Sequence, residues 1–433
     1  MVSSAAHWRS VLAEVDQVAL CSHPVRLRGV TLDRVTGELA EDSFLVPCKD
    51  RRSAVCPSCS RLYQADAWHL VAAGIRGGKG VDASVVEHPQ LFVTLTAPSF
   101  GAVHSGPSST GIARLCRPRR GDTCAHGRAL SCRVRHEAGA TVLGDPLCPE
   151  CFDYREAVLW NAHVPRLWER TCHRLTRLVA QAGGLGTAEL RTVARLSFMK
   201  VVEFQYRGLV HLHVVLRADG VGGPADPPPP WLDVDVLSGA VRGAVASAHV
   251  AVPPAPGSTL SRARWGTQID VRPLEPADPA DAVAIAAYVA KYATKTADGS
   301  PWLAHQIRTA AAIEHLELRP HIVALVRTAW MLGGRRDLRA LRLRAHAHAL
   351  GYAGQFSSKS FRFSTTFKAL RAARVLYARG DVDDPFDFDG EWRFAGRGYA
   401  HPEADLLARR LLEAARELPR RVPEVCPDQC PSS

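Results

Sequence analysis

The run Leu209–Val210–His211–Leu212–His213–Val214–Val215–Leu216 constrains the fold of this chain more than any other stretch. Apolar and β-branched residues fill every other position, the pattern of a buried strand. Side chains alternate faces along a strand, so His211 and His213 share one face. Buried imidazoles need partners, and two of them on one face form a ready pair of metal ligands. A second apolar run, Leu196–Tyr206, precedes it and holds Glu203. Tyr206–Arg207–Gly208 suits a three-residue hairpin loop with Gly208 at the left-handed position. That loop sets Gln205 opposite Leu209 and Glu203 opposite His211, which makes Glu203 a candidate third ligand. A two-residue loop would instead turn Glu203 to the other face.

A second chemical element follows. Asp278 can cap a helix, Pro279 suits its first position, and Asp281 favours the positive end of the dipole. The Ala-rich run to Thr296 propagates that helix and Gly299 stops it. On it, Tyr288 and Tyr292 lie four apart on one face, and Lys291 and Lys295 form a second such pair. Two tyrosines at this spacing are ordinarily the amphipathic edge of a core; the histidine strand upstream shifts the balance. A phenol with a pKa of about 10 is a poor nucleophile at neutral pH. A neighbouring ammonium favours the phenolate and can hold a phosphate. A divalent ion on His211 and His213 would polarise a phosphodiester, a tyrosine would attack it, and Lys291 and Lys295 would stabilise charge on the phosphoryl oxygens. The second tyrosine permits a second transesterification.

The chain holds twelve cysteines. Its N-terminus lacks the apolar core of a signal peptide and no apolar run reaches membrane-spanning length, so a cytoplasmic location is expected. Cysteines in such a compartment point to metal rather than disulfides. Cys56–Pro57–Ser58–Cys59 is a zinc knuckle, with Cys21 and Cys48 as nearest partners and His69 in reserve. Residues 101–151 carry Cys116, Cys124, His126, Cys132, His136 and a second knuckle, Cys148–Pro149–Glu150–Cys151. One or two structural zincs are expected, on Cys21, Cys48, Cys56, Cys59, Cys124, Cys132, Cys148 and Cys151, with the pairing left open. Such metal holds loops that cannot build their own core.

The net charge of +11 favours a polyanionic partner. From Arg327 to Arg379 there are twelve Lys/Arg and one acid, Asp337. Here Ala340–Leu350 reads as a helix with Arg342 and Arg344. Phe356, Lys359, Phe361, Arg362, Phe363, Phe367 and Lys368 then interleave aromatics with cations, as in a β-wing for single-stranded or hairpin DNA. A core strand with solvated arginine fits that run equally well. Arg342, Arg344, Lys359, Arg362 and Lys368 are the candidate DNA contacts. Gly74–Ile75–Arg76–Gly77–Gly78–Lys79 lacks the spacing and the Lys–Ser/Thr ending of a phosphate loop, so no helicase motor is encoded there.

Three motifs in order give the chain a resemblance to the rolling-circle replication initiators of the HUH endonuclease superfamily, in particular those of actinobacterial plasmids and integrative elements. Phe92–Val93–Thr94–Leu95–Thr96 looks like the first family motif. His211–Leu212–His213 is similar to the His-hydrophobic-His motif, and Tyr288–Val289–Ala290–Lys291–Tyr292 to the two-tyrosine motif of the phage-type branch. The knuckles at Cys56 and Cys148 and the run Phe356–Ser360 also resemble that family, over about residues 20–380. The resemblance implies an α+β fold: a five-stranded antiparallel sheet carrying the histidines, with the tyrosine helix laid across it. It implies Mg²⁺ or Mn²⁺, a nick at plasmid origin DNA, a 5′-phosphotyrosine link and a 3′-hydroxyl primer. It also implies a host helicase and DNA polymerase as partners. The long Cys-rich insertion departs from the family pattern. The expected divisions are an N-terminal region 1–87, an endonuclease domain 88–300 with its insertion 101–151, a basic DNA-binding region 301–422 and a tail 423–433.

Three rivals remain. A relaxase or transposase would use the same chemistry on other DNA. A histidine-triad nucleotide hydrolase wants a further histidine where Val215 stands. A zinc-stabilised DNA-binding regulator would keep the cysteines and have no use for the tyrosines.

Overall fold

The computed structural model describes residues 5–32, 39–107, 114–118, 123–274, 279–294, 303–379 and 392–417. Asp278, Lys295, Thr296, Gly299 and the tail 423–433 lie outside the described residues, as does the side chain of Asp281. No helix among the described residues is long and apolar enough to cross a membrane. The protein is a mixed α+β structure with antiparallel sheets and flanking helices.

The chain folds as two compact units, one of residues 1–63 with 380–433 and the other of residues 64–379. This differs from divisions at 87 and 300, because both ends of the chain contribute to one unit. In that first unit, strand Val25–Leu32 lies between Leu39–Val46 and Trp392–Arg397, antiparallel to both. Its alternation of Val25 and Leu27 with Arg26 and Arg28 is the period-two signal of a half-buried strand. Val11 and Val15 from helix Ala5–Gln17, one turn apart, pack with Leu45, Tyr399, Ala404 and Ala408. Cys21, Cys56 and Cys59 complete that core.

The second unit is built on a five-stranded sheet in the order Ile269–Pro273, Gln90–Thr96, Val210–Asp219, Arg195–Phe204, Ser357–Lys359. Every neighbouring pair is antiparallel. The edge strand Ser357–Lys359 comes from the segment expected to bind DNA. One face buries Leu91, Val93, Leu95, Val202, Leu212, Val214 and Leu216 in one core with residues of helices Tyr154–Ala182 and Val234–Ser247. Each fully buried aliphatic side chain there contributes about 1.5–3 kcal/mol. The long helix starts where Asp153 accepts a hydrogen bond from the Glu156 amide at 2.8 Å and ends at Gly183. The tyrosine helix, Pro279–Tyr292, packs against strand Arg195–Phe204.

Two local expectations are corrected. Residues 340–350 do not form a continuous helix. They fold as turns around two short 3₁₀ segments, Arg339–Leu341 and Ala347–Ala349. Arg342 and Leu350 adopt left-handed backbone that ends each segment, and Leu338, Leu343, Ala347 and Leu350 are buried by the resulting path. Arg362 lies in a turn after the edge strand, not in a β-wing; Phe363 is buried and Phe361 exposed. The insertion 101–151 contains, among its described residues, turns, isolated bridges and one short 3₁₀ segment, Pro149–Cys151.

Candidate active site

The hairpin has the register that a three-residue loop predicts. Glu203 pairs with His211, the Gln205 amide donates to the Leu209 carbonyl at 2.9 Å, and Gly208 has φ +73°. A Cβ at Gly208 would meet Leu325 Cδ1 at 2.3 Å, so glycine answers both the backbone and the packing. Three side chains that sequence reasoning did not single out hold this turn. Asn161, buried on the long helix, donates to the carbonyls of Gly208 and Leu350, both at 3.0 Å, and accepts from the Val210 amide at 3.1 Å. Arg207 donates to the carbonyls of Pro98 and Ala97, each at 2.9 Å. His321 meets the Arg207 carbonyl at 3.1 Å. These contacts span 47 to 189 positions of chain, and nothing local in the sequence marks them.

On the sheet face opposite the aliphatic core, Thr94 pairs with His213 and Thr96 with His211. Thr94 Oγ1 lies 3.3 Å from His213 Nδ1, and Thr96 Oγ1 lies 3.4 Å from His211 Nδ1. The two imidazole centroids are 4.7 Å apart. His213 Nε2 is 3.1 Å from Glu203 Oε2 and 3.2 Å from the Tyr288 hydroxyl. Tyr292 stacks on His213 at 5.6 Å between centroids and meets the Tyr288 ring edge-on at 4.6 Å. Phe92 lies parallel to His213, 5.9 Å away. The tyrosines therefore face the histidines across the sheet. Lys291, exposed, has its ammonium 5.9 Å from the Tyr292 ring centre.

Burial, with His213 and Arg207 nearby, pulls the pKa of His211 down to about 3, so this imidazole is neutral and able to donate a lone pair. Burial, the neighbouring phenol and the Glu203 carboxylate push Tyr288 above the usual phenol range. Burial and Glu203 push Tyr292 the same way. Both phenols are thus protonated in this arrangement. Two imidazoles and a carboxylate suit Mn²⁺ better than the all-oxygen shell Mg²⁺ prefers. With the threonines on Nδ1, a tautomer that carries its proton there leaves Nε2 for a metal, the usual second-contact arrangement of a histidine ligand. His211, His213 and Glu203 do not form one of the tight donor groups that the cysteines form.

Those groups are three, among the described residues: Cys21, Cys48, Cys56, Cys59; Cys124, His126, Cys148, Cys151; and His104, Cys116, Cys132, His136. Zinc bonds of about 2.3 Å to sulfur and 2.0–2.1 Å to nitrogen put tetrahedral neighbours roughly 3.3–3.8 Å apart. Cys21 Sγ is 3.8 Å from Cys56 Sγ and 3.6 Å from Cys59 Sγ. His126 Nδ1 is 3.3 Å from Cys151 Sγ, 3.7 Å from Cys148 Sγ and 4.0 Å from Cys124 Sγ. The pairing that the sequence leaves open is thus given by these groups, and Cys132 and Cys124 do not share one. Although eight positions apart, they belong to different groups, because the bridge between Arg117 and Cys132 turns the latter toward Cys116.

The candidate DNA contacts divide. Lys359 donates to the carbonyls of Ser360, Phe361 and Ser364, and Arg362 to that of Val221. Arg344 donates to the Trp330 carbonyl and lies over its ring. Arg342 and Lys368 are exposed. Much of the basic segment is thus committed to holding its own turns, and Arg374 is paired with Asp66.

Residues 7–413 match the family model described as "Replication initiator protein, pSAM2". A replication initiator protein of Streptomyces ambofaciens is 37% identical over 435 residues, covering 94% of this chain and 90% of that protein. No solved structure matches. A match of this extent, together with that identity over nearly the full length of both chains, places the protein in the pSAM2-type family of replication initiator proteins.

Proposed function

We propose that this replication initiator nicks one strand of its origin DNA by tyrosine transesterification, as an HUH-type endonuclease of the rolling-circle kind. The observation that carries the reading is the Tyr288 hydroxyl 3.2 Å from His213 Nε2, on the face that also holds His211, Glu203 and Tyr292. His211, His213 and Glu203 would hold a divalent cation, Mn²⁺ or Mg²⁺. That ion, when bound, supplies Lewis-acid polarisation of the scissile phosphate. The chain's own residues do the rest. A phenol oxygen of Tyr288 or Tyr292 forms a bond to phosphorus, the bond from phosphorus to the 3′ oxygen breaks, and that oxygen takes up a proton to become the primer hydroxyl. The phenol loses its proton in the same exchange. Glu203, whose carboxylate lies 3.1 Å from His213 Nε2 and raises the pKa of Tyr292, is an acceptor at hand. Lys291 is placed to meet phosphoryl oxygens next to Tyr292. The second phenol can repeat the exchange while the first remains linked.

Zinc on the Cys21 and Cys124 groups would be structural, since each has four protein donors and no open position. Strand opening and synthesis fall to a host helicase and polymerase. A zinc-stabilised regulator without catalysis would not need the phenol-to-imidazole contact.

Incubation with single-stranded origin DNA and Mn²⁺ should give a covalent adduct that survives denaturant. The Tyr288→Phe/Tyr292→Phe variant should give none, and an adduct persisting in it would move the nucleophile elsewhere. His211→Ala should lose cleavage and keep DNA binding.

A further inference from the structure

The third donor group lies apart from the knuckles. His104 Nδ1 is 3.2 Å from His136 Nε2, Cys116 Sγ is 3.7 Å from His104 Nδ1, and Cys132 Sγ is 3.5 Å from His136 Nε2. These separations match the edges of a tetrahedron of two nitrogens and two sulfurs around zinc. The backbone supports the arrangement: Arg117 and Cys132 exchange amide–carbonyl hydrogen bonds at 2.8 Å, which fixes two ligand-bearing segments side by side. The Ser105 amide also donates to Cys116 Sγ at 3.1 Å, as an amide does to a thiolate.

This group borders a cleft of about 570 Å³, within the size range of ligand sites. One wall is the metal-ligand loop, with His104, Ser105, Arg114, Cys116 and Arg117. The other is the end of the sheet, where Ala97 and Pro98 follow Thr96 and Gln205 follows Glu203 by two residues. The cleft therefore opens directly beyond the pairs Thr96–His211 and Glu203–His211. Arg114 is exposed and Arg117 half-buried, and neither has an ion pair among the described residues.

We infer that His104, Cys116, Cys132 and His136 bind a third zinc, and that this zinc fixes the wall of a cleft that holds the single strand of DNA running on from the catalytic face. The second half of this inference rests on the proposed nicking site; the metal assignment does not. A flexible loop without a core would carry its arginines at variable distance from the sheet. Four bonds to one ion hold them at the mouth of the cleft, where two phosphates of an extended strand can be met.

The test uses the full chain with Tyr288→Phe/Tyr292→Phe and no added Mn²⁺, so that no reading depends on cleavage. Elemental analysis should find three zincs per chain, falling to two in Cys132→Ala and returning to three in Cys132→His, which restores a donor. Two zincs in the parent, or three in Cys132→Ala, would overturn the metal site. Binding of a fluorescent 20-nucleotide oligothymidine should weaken in Arg114→Gln/Arg117→Gln at unchanged zinc content. The slope of log affinity against log salt should fall by about 1.4 for two lost phosphate contacts. An unchanged slope, or an equal loss for a duplex of the same length, would overturn the cleft's role. A parent protein that binds three zincs and shows the arginine effect, yet never forms an adduct with its origin when the tyrosines are restored, would leave the metal site and its arginine contacts to single-stranded DNA standing, and would remove the nicking mechanism together with the strand's path from a catalytic face.

Discussion

Thr94 and Thr96 are inconspicuous in the sequence, where they are two hydroxyls in an apolar strand. In the fold each lies on the Nδ1 side of one histidine, at 3.3 and 3.4 Å. A metal on Nε2 requires the Nδ1 proton, and Nδ1–H then donates to the threonine oxygen, fixing tautomer and ring orientation. Thr94→Val/Thr96→Val keeps the shape and removes both acceptors. The Mn²⁺ concentration for half-maximal adduct formation should rise about 10–100-fold, with DNA binding unchanged. An unchanged midpoint would mean that these hydroxyls do not orient the imidazoles. At this scale the sequence was legible where the reason was local. Alternation put both histidines on one face, and Gly208 in the loop set Glu203 opposite His211. Asn161 and Arg207 were illegible because their partners, Leu350 and Pro98 among them, lie far off in the chain.

Among elements, the tyrosine helix depends on phase. Val289, Ala290 and Ala293 are buried while Tyr288 and Tyr292 reach toward His213. One alanine inserted between Val289 and Ala290 turns everything beyond it by about 100°, taking Tyr292 off the shared face and leaving Tyr288 in place. Mass spectrometry of the adduct should then find DNA on the Tyr288 peptide and none on the Tyr292 peptide. Linkage at Tyr292 in the insertion variant would show that helix phase does not present the second phenol. The elements themselves were read unevenly. The histidine strand was legible from its apolar and β-branched run, and Val210–Asp219 follows that run. The edge strand Ser357–Lys359 is three residues long with no alternation to detect, and only its pairing with Met199–Val201 makes it a strand. The helix expected over 340–350 failed because helix-favouring composition was outweighed by burial of leucines on a turning path.

For the whole molecule, the division into two units separates the proposed chemistry from the four-cysteine group of the first unit. Of the ten residues in the first unit's core cluster, three are cysteines of one donor group, and Tyr399 donates to the Cys21 carbonyl at 2.8 Å. A core this small supplies little hydrophobic stabilisation by itself. A structural zinc contributes about 10–16 kcal/mol of apparent binding free energy at neutral pH, comparable to or above the roughly 5–15 kcal/mol net stability of a whole domain. Folding of this unit should therefore require the metal. Cys56→Ser/Cys59→Ser should lose one zinc equivalent, and hydrogen exchange should show protection lost across 5–32, 39–63 and 392–417. The sheet strands Gln90–Thr96, Arg195–Phe204 and Val210–Asp219 should keep theirs, because their core holds none of those four cysteines. Protection retained in the terminal segments would make the apolar residues sufficient and the cysteines incidental. Protection lost in both sets together would make the two units one cooperative body and overturn the separate dependence on metal.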